Sequence, residues 1–128
     1  MTFLLDTQLV IWIPIDAPHI GKTGRAILTD PANTFLFSAA SVWEIAIKRA
    51  HKGGDFAYDP RAIRKQLLAN GYDELPVQGS HAIMVESLLP IHKDPFDRIL
   101  IAQAMVEGIT LLTRDAVVAR YPGPIRKI

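Results

Sequence analysis

Three short apolar runs narrow the fold more than any other feature of this chain: Phe3-Leu4-Leu5, Thr34-Phe35-Leu36-Phe37 and Ile109-Thr110-Leu111-Leu112. Each has the length of a strand rather than a helix, and the first and last suit strands buried on both faces. Helical signals fill the intervals. Asp6-Thr7 can cap a helix through Leu9, Val10 and Trp12, which Pro14 stops. A second helix is expected from Ile20 to Thr29, weakened by Gly21 and Gly24. Ser38 to His51 is the clearest helix, with Gly53-Gly54 to end it. Val42, Trp43, Ile45, Ala46 and Ile47 almost surround it, which predicts a buried helix. Pro60 to Asn70 is amphipathic and ends at Gly71, His81 to Leu88 is a further helix, and Pro95 to Glu107 is a strong one stopped by Gly108. Glu74-Leu75-Pro76-Val77 reads as a short strand and Ile125 to Ile128 as an edge strand. Strands alternating with helices predict an α/β sandwich around a mainly parallel sheet. The 128 residues suit one domain, 1–128.

Composition removes several function classes. Without cysteine there is no disulfide framework, thiolate metal site or cysteine nucleophile. Thirteen acids against 14 bases give a net charge of +1, which argues against a basic nucleic-acid coat. The longest charge-free run lies between Asp30 and Glu44, short of the roughly 18 apolar residues of a membrane span. The N-terminus lacks the basic start of a secretory signal, so a cytoplasmic protein is expected.

Some motifs mislead. Gly21-Lys22-Thr23 looks like the end of a phosphate loop, but Asp16 stands where an earlier glycine is required and no strand runs into it. No serine sits in a nucleophile elbow and no histidines pair at zinc spacing. His19, His51, His81 and His92 are scattered, which suggests surface or packing roles.

Four acids stand out by position. Asp6 follows the first strand, where open α/β sheets bind ligands, although it can equally cap the next helix. Glu44 lies in an apolar helix. It has capping-box spacing from Ser41 and ion-pair spacing to Lys48, yet between Trp43 and Ile45 it risks burial. Asp94 is an N-cap, Pro95 suits the first helical position, and Asp97 complements the helix dipole while sharing a face with Leu100 and Ile101. Asp115 lies just past the last buried strand, matching Asp6. Each acid has a local explanation. Together Asp6, Glu44, Asp97 and Asp115 make a coherent site, two beyond strand ends and two on helices expected to pack nearby. Clustered carboxylates repel one another unless cations bind, and oxygen-only ligands suit Mg²⁺ or Mn²⁺. Such ions can activate a water and stabilise a phosphodiester transition state.

The segments LLDT at 4–7, SVWEIAIK at 41–48, HKDPFDRILIAQA at 92–104 and LLTRD at 111–115 resemble, in order and spacing, the PIN-domain family. Within it they resemble VapC-type toxin ribonucleases of toxin–antitoxin pairs, in a subgroup carrying DPFDR. The resemblance implies a three-layer α/β/α sandwich and four acids around Mg²⁺ or Mn²⁺, carried over onto Asp6, Glu44, Asp97 and Asp115. Asp94 is an added acid that supports the site, and Thr7 and Thr113 match supporting polar positions. Gln8 departs from the pattern, since close relatives often carry His there.

The implied reaction is endonucleolytic RNA hydrolysis leaving 5′-phosphate and 3′-hydroxyl ends. The implied target is tRNA, rRNA or other structured or single-stranded RNA. The implied partners are a second copy of the chain and a cognate antitoxin whose tail occupies the groove. Lys48, Arg49, Lys52, Lys93, Arg98 and Arg114 lie close in sequence to the acids. Lys48, Lys93, Arg98 and Arg114 are the candidate RNA-phosphate contacts, with ordinary solvated charge or structural ion pairing as the other reading. Two other functions share the pattern. A PIN-like module could bind RNA or a partner without cutting. A phospho-receiver domain would need an acidic pair after the first strand, where Asp6 stands alone, and an acceptor Asp where Ser38 stands.

Overall fold

The apolar runs form strands because each has two buried faces to fill. In the computed structural model, which describes residues 1–52 and 56–128, the chain runs β1 (Thr2–Leu5), α1 (Thr7–Trp12), α2 (Gly21–Thr29), β2 (Thr34–Ser38), α3 (Ala39–Lys52) and α4 (Pro60–Ala69). It continues through β3 (Asp73–Leu75), α5 (Gly79–Met84), α6 (Pro95–Glu107), β4 (Thr110–Thr113) and β5 (Ile125–Lys127). The five strands form one sheet in the order β3-β2-β1-β4-β5, and every neighbouring pair is parallel.

Alternate side chains feed opposite layers, as strand geometry requires. Phe3, Leu5, Phe35, Phe37 and Leu112 pack on one face with Leu9 and Val10 of α1, Ile27 of α2, Ile45 of α3, and Ile63 and Leu67 of α4. Leu4 and Leu111 pack on the other with Leu100, Ile101 and Ala104 of α6. This is the expected three-layer sandwich. Because β2 and β4 flank β1 on opposite sides, the chain's direction of travel reverses at β1 and β4. The carboxyl ends of these strands therefore open a crevice at the switch point.

Several expectations are corrected. Trp43 is 62% exposed, so α3 is not apolar all round; the buried positions nearby are Ser41, Glu44 and Ile45. The strand expected at 74–77 is β3, 73–75, because Pro76 has no N–H for the ladder. The helix expected from His81 to Leu88 starts at Gly79, where the His81 Nδ1 accepts the Gln78 N–H at 3.0 Å, and ends in a 3₁₀ turn over Val85–Ser87. The expected helix end at Gly53-Gly54, and the Lys52 side chain, lie outside the described residues. Among the described residues, no helix is long and apolar enough to cross a membrane.

Candidate functional site

Two of the four acids sit where β1 and β4 end. The Asp6 N–H extends the ladder to the Leu112 carbonyl at 3.1 Å, which fixes its backbone. Its Oδ1 accepts the Leu9 N–H at 3.0 Å and caps α1. Its Oδ2 accepts the Thr113 hydroxyl at 2.5 Å and the Arg114 N–H at 3.3 Å. The capping reading is thus correct, and the same carboxylate lines the crevice. Asp6 is 3% exposed. Burial raises its pKa, hydrogen bonds oppose the rise, and the charge of Asp115 adds to it. Thr113 joins the two acids, because its oxygen also accepts the Asp115 N–H at 2.9 Å. The Asp115 Oδ1 accepts N–H bonds from Val117 at 2.7 Å and Val118 at 3.3 Å.

The other two acids come from α3 and α6. Glu44 is 5% exposed, with Oε2 on the Lys48 ammonium at 2.8 Å. Its Oε1 is buried and has no hydrogen-bond partner among the described residues. Ser41 does not form the expected capping box. It lies inside α3, where its hydroxyl meets Thr7 of α1 at 3.0 Å, one turn before Glu44. Ser38 stands at the helix start instead, its hydroxyl accepting the Ala40 N–H at 3.0 Å. On α6, the Asp94 Oδ1 accepts N–H bonds from Phe96 at 2.8 Å and Asp97 at 3.3 Å, the N-cap expected of it. Asp97 Oδ2 lies 2.8 Å from His92 Nε2. The Asp97 pKa is pushed up to about 6, first by burial and then by the charge of Asp94, with Glu44 adding and His92 opposing.

One cleft of about 190 Å³ is lined by Asp6, Glu44, Asp94, Asp97 and Asp115 together with Thr7, Gln8, Lys48 and His92. Ligand atoms of His92, Asp94 and Asp97 all fall within 4.8 Å of one another. Five carboxylates face one ammonium here, a charge excess that a bound cation would offset. The donor set is mainly oxygen, which fits a hard divalent ion, and the unpartnered Glu44 Oε1 is an acceptor such an ion would satisfy.

The cations are sorted less simply. Lys48 lines the cleft. Lys93 is exposed and lines a neighbouring apolar groove beside Trp43 and Phe96, whose rings meet edge-on at 5.1 Å. Arg114 is exposed, its backbone N–H committed to Asp6. Arg49 pairs with Asp59 at 2.8 Å. Arg98, expected to contact phosphate, instead donates to the Leu89 carbonyl at 2.8 Å, the Tyr121 hydroxyl at 3.0 Å and the Val85 carbonyl at 3.2 Å. It anchors the loop before α6.

Among the histidines, His19 stacks on Trp12 and His81 is fully buried against Glu107, which are packing roles as expected. His92 is a correction. It lies in the acidic cleft, on a loop whose lack of periodicity gives the sequence no means to place it. Gly21-Lys22-Thr23 opens α2 after a 3₁₀ turn, with no strand leading in, so its rejection as a phosphate loop stands.

The family model for the PIN domain matches residues 3–124. No curated protein sequence matches the chain. Among solved structures, VapBC2 from Rickettsia felis, bound to a DNA fragment from its promoter, is similar with a TM-score of 0.71 and 14% identity. That match covers 99% of this chain and 98% of the other. DNA-bound VapBC from Salmonella typhimurium is similar with a TM-score of 0.65 and 17% identity, covering 99% and 98%. VapC20 from Mycobacterium tuberculosis, described as a sarcin-ricin loop cleaving toxin, has a TM-score of 0.61 and 16% identity, covering 91% and 92%. At these identities the likeness is one of fold.

Proposed function

This chain belongs to the PIN domain family, and from that premise we propose that it is a divalent-metal-dependent endoribonuclease, the toxin of a toxin–antitoxin pair. The observation that carries the reading is the convergence of Asp6, Glu44, Asp97 and Asp115 on one cleft, with a buried Glu44 oxygen left unpartnered. Mg²⁺ or Mn²⁺ bound there would supply a nucleophile at neutral pH and offset charge developing on the phosphodiester.

The chain's own residues do the rest. Thr113 and the Arg114 N–H hold one oxygen of Asp6, and the capped turn after β4 holds Asp115. Asp94 fixes the start of α6, so Asp97 projects into the cleft. The Thr7–Ser41 hydroxyl contact ties α1 to α3 one turn before Glu44. Lys48 lies at the cleft, where its ammonium can meet a phosphate, and Lys93 and Arg114 are exposed next in sequence to His92 and Asp115. The products are RNA ends bearing 5′-phosphate and 3′-hydroxyl.

Solved structures of the same fold include toxin–antitoxin complexes, among them one from Klebsiella pneumoniae. They support a cognate antitoxin as partner; a homodimer as the working state and the cytoplasm as the place of action are parts of the same proposal. A module that binds RNA without cutting has less support, because all four acids converge on the cleft.

The test is sequencing of RNA 5′ ends after induced expression, with purified protein assayed on the same RNA. Cleavage is expected to require Mg²⁺ or Mn²⁺ and to fall by more than about 100-fold in Asp6→Asn and Asp97→Asn, since even outer partners of a metal site are worth 10–100-fold. Two folded variants that cut at the parental rate would refute the site.

A further inference from the structure

We propose that His92 is a positioning residue for Asp97, set in place by a backbone clamp that Tyr121 and Arg98 supply. The inference rests on the proposed metal site and adds a residue to it.

The Tyr121 hydroxyl accepts the His92 N–H at 2.7 Å and donates to the His92 carbonyl at 3.2 Å, so one oxygen holds both backbone groups of one residue. The same oxygen accepts from Arg98 Nη1 at 3.0 Å. One bond donated and two accepted is all that a phenol can make. Tyr121 is buried against Leu4, Leu100 and Leu111, so the clamp is anchored in the core. Arg98 pins the preceding turn through the Val85 and Leu89 carbonyls.

A loop backbone held so firmly delivers its side chain to one place. The His92 Nε2 reaches Asp97 Oδ2 at 2.8 Å. An ionised carboxylate only accepts, so Nε2 carries the proton and donates. The other oxygen of Asp97 has no hydrogen bond among the described residues and is left for the cleft. Asp94 stands within 4.8 Å of the same group and repels it. Without the imidazole, the Asp97 head would be free to turn away from its neighbour. Hydrogen-bonding partners of this kind orient metal-binding carboxylates and sustain affinity.

Calorimetric titration of Mn²⁺ into the full chain tests this without measuring RNA cleavage. His92→Ala is expected to weaken Mn²⁺ binding by about 10–100-fold. His92→Gln, whose amide N–H has similar reach, is expected to recover most of the loss. Tyr121→Phe keeps the ring but removes the clamp and should fall between parent and His92→Ala. Parental Mn²⁺ affinity in His92→Ala overturns the proposal, even if that variant is less stable. Equal losses in the Ala and Gln variants also overturn it, because the donated hydrogen bond would then not be what matters. If Asp97→Asn binds Mn²⁺ as the parent does, the metal site itself fails, whatever His92 does.

Discussion

At the scale of single residues, the cleft is governed by carboxylates held where water is scarce. Asp97 is pushed up to about 6 by burial and by Asp94, and burial also raises Asp6. A carboxyl with a folded pKa above its unfolded value binds more protons in the folded state. Its stabilising contribution is fully present below the unfolded value near 4 and is lost as pH rises through about 6. The metal-free protein should therefore melt at a lower temperature at pH 7.5 than at pH 5.5. Saturating Mn²⁺ should narrow that gap; thermal scans with and without chelator check both statements. Thr113 serves two acids at once, so Thr113→Val should cost about 2 kcal/mol in a denaturant titration. Asp6 and Asp115 were legible because strand ends are visible in the apolar pattern. Glu44 and Asp97 were ambiguous for a physical reason: ion pairing and capping geometry use the same residues that the cleft uses. His92 and Arg98 were not legible, since both act across an irregular loop whose path only tertiary packing sets.

At the scale of elements, α6 carries two duties at its first turn. Asp94 caps the helix and also adds negative charge beside Asp97. Asp94→Ala should cost about 1 kcal/mol of stability, and Asp94→Asn should restore it because Asn caps as well as Asp. If the charge supports metal as proposed, Asn will not restore Mn²⁺ affinity, so the two measurements separate the duties. Most helices were readable from caps and stops, as with Asp6, Pro60, Asp94 and Gly108, whose φ of 66° ends α6 in the left-handed region. Sequence propensity gives Gly24 only a weakening effect on α2. In fact Ile128 and Ile20 come within 2.8 and 2.9 Å of where its Cβ would stand, so its smallness admits the C-terminal residue. Periodicity along one element cannot show a contact of this kind. Trp43 illustrates the same limit: an apolar residue in an apolar helix reads as buried, yet it is 62% exposed and meets Phe96 on α6 edge-on.

At the scale of the whole molecule, a net charge of +1 leads us to expect few phosphate contacts to the proposed RNA substrate. Among the described residues, Lys48 lines the cleft, and Lys93 and Arg114 are exposed beside His92 and Asp115 in sequence. With three phosphates neutralised, log affinity for single-stranded RNA should fall with log salt at a slope no steeper than about −2. Asp6→Asn protein at fixed Mg²⁺ allows the measurement, and a much steeper slope would reveal a larger basic surface. The parallel sheet places the first and fourth strands side by side although they are far apart along the chain. The bond from Thr113 to Asp6 spans 107 residues. During synthesis at roughly 5–20 residues per second, Asp6 therefore waits about 5–20 s before its partner is even made. In a ribonuclease of the proposed design, the site thus stays incomplete until the segment carrying Thr113 and Asp115 has been made: the blade is forged in two pieces.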